Sequence, residues 1–495
     1  MTMFTRKEAV MASPSPLWRH QEQAIRFTLD RWQNGHPGVL LAMEMGTGKT
    51  RVALEALSTK GCQRILVVAP KSVLPVWREQ IARFWRGPPV TLSPTAATGL
   101  AHGAADIKAT VALGRTPHFC LLNYEVVHRA ALRPVLQRIP WDALILDEGH
   151  RAKAPHGVQS RAVAALAAPI PHRLALTGTP LPHSHLDAFG LFRALDPHIF
   201  GPSYTAFANT YTRPAVGREA WSNAATWYRK AGRDEKPERR VPTHMPEFER
   251  KMAPVTFRIN LRDVFPDLPP SVDEERYCAL EPTALRAYRQ MEEQFIADVR
   301  AGRITAANAG VQSLRLRQIV AGAAEGKVTS RAKQGALADL LADLPAEEPV
   351  VVFCEFHADL DAVLALAHTE SLPAELSGRR NELLPWQERT RHLLAVQPQA
   401  GGLGIDLTRA RLAVWYSLPW SVATYQQAKA RLVRPGQTRP VTFVHLLAER
   451  TIDEAMYHAL HARGDFLSAV VERASRGRER GATRRAGEAA ALPHL

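Results

Sequence analysis

The sequence predicts an α/β protein made of two doubly wound parallel-sheet lobes, with a mainly helical insertion and linker between them. Three observations carry that prediction. Short apolar runs without in–out alternation recur between helical stretches in each half of the 495-residue chain, as expected of strands covered on both faces. Several of these runs end in glycine-rich or acidic turns, where open α/β sheets carry their sites. Between the two halves, the stretch from Pro197 to Pro270 is rich in proline and charge and shows no strand rhythm.

The first lobe is assigned to residues 1–200. Its strands are read at the apolar run ending in Met43, then at Arg64–Ala69, Phe119–Asn123, Ala143–Leu146 and Arg173–Thr177. Residues 201–325 are read as the insertion and linker, ending in helices over Glu281–Arg300 and Ala309–Val320. The second lobe, 326–465, opens with a helix over Ser330–Leu344. A strand at Val350–Cys354, a helix at Asp359–His368, and strands at Ala410–Tyr416 and Val441–Leu447 follow. Residues 466–495 form a basic tail, with six Arg against one Glu between Arg473 and Arg485. It is expected to be disordered, and either touches phosphates or serves solubility.

Bulk properties narrow the classes. Hydrophobic residues at 46% and charged residues at 22% are those of a globular protein with room for two cores. The 63 Lys and Arg against 48 Asp and Glu leave a net charge of +15, which favours an anionic partner. Cys62, Cys120, Cys278 and Cys354 are scattered without a CxxC pair, arguing against a disulfide framework or zinc module and for a reducing, cytoplasmic setting. His183 and His185 sit in a Pro-rich loop without partner thiols, so they are not read as metal ligands. No apolar run reaches the ~18 residues of a membrane span, and the N-terminus lacks a signal-peptide core.

The chemistry concentrates in two strings. After the first strand, Met45, Gly46, Thr47, Gly48, Lys49 and Thr50 form a turn in which Gly46 and Gly48 can aim backbone N–H groups at one anion. Lys49 adds a point charge at the β/γ-phosphates of a nucleotide, and the Thr50 hydroxyl suits a Mg²⁺ ligand. Met43 stands where the strict phosphate-loop pattern has its first Gly. About a hundred residues on, Asp147 and Glu148 end another apolar strand. One carboxylate can hold Mg²⁺ while its neighbour polarises an attacking water, so the pair of strings implies an ATPase. The second half has no Gly-Lys-Thr loop of its own. It offers Arg431 and Arg434, three apart and read as one face of a helix, whose planar forks suit a triphosphate. Upstream, Ala400-Gly-Gly-Leu-Gly-Ile-Asp406 is read as following a helix, with Gly404 and Asp406 as nucleotide-binding candidates.

These strings, in this order, resemble the Swi/Snf-type ATPases of the superfamily-two helicases, from about Leu17 to Met456. Leu17-Trp-Arg-His-Gln21 is similar to the adenine-reading glutamine motif, Met43–Thr50 to motif I, Ala69–Trp77 to motif Ia, Asp147-Glu-Gly-His150 to motif II and Leu176-Thr-Gly-Thr-Pro-Leu181 to motif III. Asn123-Tyr-Glu125 sits where a DNA-strand contact is expected. Leu268-Pro-Pro270 and Leu314-Arg-Leu-Arg-Gln318 resemble the bridge between lobes, Val351–Phe356 motif IV, Ala400–Leu407 motif V, Gln427–Gln437 motif VI, and Thr451-Ile-Asp-Glu454 the segment after it. Departures occur at Met43, Ala154, Pro182, His183, Pro398 and Gln399.

The resemblance implies two RecA-like lobes and a DNA-stimulated ATPase that translocates on double-stranded DNA through non-sequence-specific phosphate contacts. It implies Gln21 on adenine, Lys49 and Thr50 on the phosphates, Thr50 and Asp147 on Mg²⁺, Glu148 on the water, and Arg431 and Arg434 completing the site when the lobes close. A strand-separating or annealing helicase, a motor acting on a protein–nucleic-acid complex such as stalled RNA polymerase, and a non-catalytic ATP-gated DNA clamp are the alternatives.

Overall fold

The computed structural model describes residues 16–86, 90–92, 105–109, 118–178, 185–216, 226–228, 238–300, 306–324, 327–366, 372–399 and 405–461. The basic tail, Gly404 and most of the string after Thr177 lie outside these residues. The chain divides into two compact units, Met1–Thr212 with Thr243–Val264, and Arg213–Pro242 with Phe265–Leu495.

The first unit is built on β1 (Gly38–Met43), β2 (Arg64–Ala69), β3 (Val90–Leu92), β4 (His118–Asn123), β5 (Ala143–Asp147) and β6 (His172–Thr177). A small separate sheet, almost all of it in the Arg213–Pro242 segment of the second unit, follows in the chain: β7 (Thr212–Pro214), β8 (Thr226–Tyr228) and β9 (Glu238–Pro242), ordered β7-β9-β8. The chain then returns to the first sheet with β10 (Thr256–Ile259), giving the order β10-β1-β6-β5-β2-β4-β3, parallel throughout. β1 is buried along its whole length and β2 along all but its first residue, which explains their unalternating apolar text. Helix Arg19–Gln33 turns Ala24, Ile25, Thr28 and Trp32 inward at helical spacing and packs on helix Lys49–Lys60. Full burial of a large apolar side chain contributes ~1.5–3 kcal/mol, so the inward face of Arg19–Gln33 outweighs its modest intrinsic propensity.

The second unit holds β11 (Ser271–Cys278), β14 (Val350–Phe353), β15 (Ala374–Leu376), β16 (Leu393–Val396), β17 (Leu412–Trp415) and β18 (Val441–Ala448), ordered β11-β18-β17-β14-β16-β15 and again all parallel. A two-stranded ribbon, β12 (Ala323–Ala324) and β13 (Lys327–Val328), joins helix Ala306–Ala321 to helix Ala332–Ala342. Phe353, Trp386, Trp415 and Tyr425 lie at the centre of the core on one side of this sheet.

Two expectations are corrected. The segment 201–325 is not only a helical insertion: β10 and β11, both within it, are edge strands of the two sheets among the described residues. Edge strands expose one flank and keep polar residues, so β11 reads Ser-Val-Asp-Glu-Glu-Arg-Tyr-Cys and gives no apolar run. Likewise, the glycine string at 400–406 follows a strand, β16, and not a helix. Four apolar residues in a row cannot be told from a helix fragment by periodicity alone. The remaining expected strands and helices are present with ends shifted by a few residues; helix Asp359–His368, for example, spans His357–Leu364.

One glycine fixes the approach of a helix to the site. Gly190, inside helix Asp187–Leu195, faces the carbonyls of Ala152 and Lys153, and a Cβ there would collide with both. We expect Gly190→Ala to lower the melting temperature. Overpacking against rigid backbone costs roughly 1–3 kcal/mol, against a helix-propensity gain of about 1 kcal/mol at most. Thermal unfolding of the variant measures the sign.

Candidate active site

β1, β6 and β5 are neighbours in the first sheet, so the turns after Met43, Thr177 and Asp147 leave the same edge side by side. The Ala42–Thr177 and Leu176–Asp147 pairings place Thr177 between the other two strand ends. This is the geometry that a parallel sheet imposes on every carboxyl end.

The turn after β1 has the form its glycines allow. Gly46 and Gly48 adopt φ of 84° and 85°, left-handed values that a side chain rarely tolerates. Gly48 precedes helix Lys49–Lys60 as its N-cap. A Cβ on Gly48 would collide with the Gln21 amide, so the glycine is needed for close packing as well as for its backbone angle. The Thr47 carbonyl accepts from Gln21 Nε2 at 3.2 Å and lies 2.8 Å from His20 Nε2, while Gln21 Oε1 accepts from Trp18 N at 3.1 Å. Gln21 is 2% exposed, and its amide joins the turn, at Thr47, to the N-cap of helix Arg19–Gln33, at Trp18. Lys49 Nζ donates to Met43 O at 2.8 Å and Glu44 O at 3.3 Å, arching over the turn. Glu44 ties the turn to the returning chain: its N–H donates to Ile259 O at 3.0 Å and its carboxylate accepts from Leu261 N at 2.7 Å.

Asp147 is the buried member of the acid pair. Burial, then the charge of Glu148, push its carboxyl up to about 6; a hydrogen bond from Trp77 and the charge of Lys49 oppose them. Trp77 Nε1 donates to Asp147 Oδ2 at 2.8 Å, and Tyr124 Oη donates to the Asp147 carbonyl at 2.9 Å. Glu148 sits at φ 50°, a left-handed angle uncommon outside glycine and typical of strained functional turns. Its Oε2 lies 3.3 Å from His150 Nδ1, which is 3.4 Å from Thr177 Oγ1. Motifs II and III thus meet through one imidazole.

Tyr124 is fully buried and supports the acid turn; within Asn123-Tyr-Glu125 it is Asn123, partly exposed, and Glu125, exposed and paired with Arg151 at 3.4 Å, that reach the surface. Trp77 and Tyr124 were missed as site residues. The available signal was their chemistry: a buried indole N–H or phenol needs a partner.

In the second unit the arginines do not share a helix face. Helix Val422–Lys429 ends before them, and the chain tightens through Arg431 N to Ala428 O (3.1 Å) and Val433 N to Lys429 O (3.0 Å). Arg434, Pro435, Gly436 and Gln437 close a turn, with Gln437 N donating to Arg434 O at 3.0 Å and Gly436 at φ 107°. Pro435 disfavours helix at Arg434, and glycine takes the position that needs positive φ, as in a type II turn. This arginine turn is stitched to the string before it. Leu407 N donates to Arg431 O at 3.1 Å, Arg434 Nη1 to Ile405 O at 3.4 Å, and Gln437 Nε2 to Thr408 O and Ala410 O at 3.1 Å each. Asp406 is exposed and accepts from Thr408 N at 2.9 Å and Thr408 Oγ1 at 2.6 Å, so its carboxylate shapes its own turn. Gly404 lies outside the described residues. Gln399, one of the departures, donates to both Glu355 oxygens at 3.2 Å. Arg317, in the string Leu314–Gln318, is 6% exposed, donates to Leu418 O at 2.8 Å and pairs with Glu355 at 3.5 Å.

The four cysteines are buried free thiols. His185 lies buried with Nε2 3.0 Å from Tyr211 O, while His183 is outside the described residues. Among the described residues no helix is long and apolar enough to cross a membrane.

Comparison with known proteins adds the following. The family described as SNF2-related domain matches residues 20–325, and the helicase conserved C-terminal domain matches 332–436. The chain is 23% identical to zebrafish (Danio rerio) chromodomain-helicase-DNA-binding protein 1-like over 88% of its length and 42% of the relative's. It is 24% identical to the Arabidopsis thaliana ISWI chromatin-remodeling complex ATPase CHR11 over 92% of its length and 42% of the relative's. It is also 24% identical to the Arabidopsis thaliana ATP-dependent DNA helicase DDM1, over 88% and 59%. The chain therefore spans less than two thirds of these relatives. Among solved structures, the Sulfolobus solfataricus SWI2/SNF2 ATPase core in complex with dsDNA is 20% identical over 91% of both chains, with a TM-score of 0.43.

Replacing Trp77 with Phe removes the donor on Asp147 Oδ2. We expect destabilisation of about 1–3 kcal/mol, the cost of leaving a buried acceptor unmet. The indole bond favours the ionised carboxylate, so removing it raises the carboxyl further: the loss should be fully present only above the variant's own titration, which lies above the wild-type value of about 6, and should shrink as pH falls and Asp147 protonates. Denaturant unfolding of both proteins across pH 5–8 reads this.

Proposed function

The chain belongs to the SNF2-related family, and on that premise we propose that it hydrolyses ATP and uses the hydrolysis to translocate on double-stranded DNA. The observation that carries the reading is the meeting of the Gly46–Thr50 turn with the Asp147–Glu148 pair on one sheet edge, bridged by Thr177. Backbone N–H groups of the turn and Lys49 bind the β- and γ-phosphates, Lys49 leaving its carbonyl partners as they arrive. Glu148, aimed by its left-handed backbone and by His150, orients and deprotonates the water.

Mg²⁺ fits the oxygen donors available. Thr50 and Asp147 would hold it, and a divalent cation would offset both the burial and the Glu148 repulsion that push the Asp147 carboxyl up. When bound, it neutralises charge on the phosphates. Arg431 and Arg434 supply positive charge to the same triphosphate as the two lobes approach, and the rigid stitching of their turn to residues 405–410 lets that event move the lobe as a body. Alternate grip of the lobes on neighbouring backbone phosphates then produces stepping. Net charge of +15 supports such contacts.

Arg434→Ala should leave ATP binding nearly intact and reduce turnover by about 10³-fold, the usual contribution of an arginine finger. Equal turnover in the variant would remove the role assigned to Arg434. For the partner, ATPase rates with no DNA, single strands, duplex and forks should be highest with duplex. DNA affinity should fall steeply with salt and vary little with sequence. Greater stimulation by single strands, together with fork strand displacement, would favour a separating helicase instead.

A further inference from the structure

Four elements of the second unit converge on one charged centre. Asp273 comes from β11, Lys429 and Tyr425 from helix Val422–Lys429, His445 from β18 and His461 from helix Ile452–His461. Donor atoms of Asp273, His445 and His461 lie within 4.8 Å of one another, a grouping that could suggest a metal. The Asp273 carboxylate already carries a cation of the protein's own. Lys429 Nζ donates to Asp273 Oδ1 at 2.6 Å and Oδ2 at 2.7 Å, straddling the carboxylate. The ammonium also lies 4.4 Å from the Phe443 ring centre and 5.3 Å from that of Tyr425. Its side chain is 13% exposed and that of Asp273 25%.

The rest of the centre is arranged around that ion pair. Tyr425 Oη lies 2.8 Å from His445 Nε2 and donates to Asp273 Oδ1 at 3.4 Å. His445 Nδ1 is 3.3 Å from Glu274 O, and His461 Nδ1 is 2.9 Å from Tyr457 O. Burial pushes His445 down to about 4, so it is neutral near pH 7. Burial would raise Asp273, but the hydrogen bonds and charge of Lys429 outweigh it and hold the carboxyl below its usual range.

What the pair holds is the base of the arginine turn. Lys429 is the last residue of its helix, and its carbonyl accepts from both Leu432 N (3.1 Å) and Val433 N (3.0 Å). The side chain of Lys429 is therefore clamped to β11 while its backbone anchors the residues flanking Arg431. We propose that the Asp273–Lys429 pair is a positioning device that sets Arg431 and Arg434 for the hydrolytic step, from the strand by which the chain enters the second sheet. This rests on the arginine role given above. Misplacement of a charge-stabilising group by an ångström can cost up to about 10²-fold in rate, so a pair that acts only through geometry can still dominate turnover.

The test is a double-mutant cycle on the full chain, with Lys429→Met, Asp273→Asn, their combination, and Lys429→Arg, beside Arg431→Ala and Arg434→Ala. DNA-stimulated kcat, KM for ATP and melting temperature are measured for each. We expect each single variant to lose about tenfold or more in kcat with KM within twofold, the double to be no worse than the worse single, and Lys429→Arg to recover most of the rate. If Lys429→Met does not fold, Asp273→Asn and Lys429→Arg carry the same comparison. Wild-type kcat in Lys429→Met or Asp273→Asn, with Arg431→Ala inactive, overturns the positioning role and leaves the arginine role standing. Additive losses in kcat and melting temperature, without rescue by arginine, overturn it as well. Full turnover in both arginine variants defeats the underlying assignment instead.

Discussion

An acid buried at the end of a parallel strand is the constraint on which the first unit turns. An ionised carboxylate without water must find donors or give up its charge. Asp147 meets that demand through Trp77, from the helix after β2, while Tyr124, just past β4, holds its carbonyl. The segments after β2 and β4 thus each give an aromatic residue to the acid turn. The same strand end leaves Glu148 in a left-handed conformation with His150 against it. The sheet supplies the position, and these side chains supply the charge state and direction.

The second unit solves a different problem. It must present two long, flexible cations from a turn without the rigidity of a helix. The solution is backbone stitching: Arg431 O, Ile405 O, Thr408 O and Ala410 O are all used to join the turn to the loop before β17. Gln437 makes two of these four bonds with one amide, 7% exposed. Such a turn moves with its lobe or not at all.

Much of this could be read from the residues. The buried strands announced themselves because parallel strands covered on both faces are apolar throughout, and the Gly46–Thr50 turn because positive φ at two positions calls for glycine. The edge strands β10 and β11 did not, since Thr-Phe-Arg-Ile and a run of four charged residues satisfy only one neighbour. The arginine turn was misread for a related reason. Three-residue spacing fits a helix face, but Pro435 and Gly436 are stronger local determinants and end the helix first. Trp77, Tyr124 and Gln437 act through long-range hydrogen bonds, which no local pattern records. Gln21 was found by its motif, yet its engagement of the Thr47 carbonyl follows only from three-dimensional packing.

The margin of the second sheet has a consequence for the molecule as a neighbour of other molecules. Among the described residues β11 is its last strand on one side, paired to β18 alone. A bare ladder of amide groups invites recruitment by a stray strand, the first step toward domain swapping or fibre growth. Here Asp273, Glu274, Glu275 and Arg276 follow one another along that ladder. An incoming strand would have to desolvate them, so the same text that hid β11 from a reader looking for apolar runs also guards it against self-association.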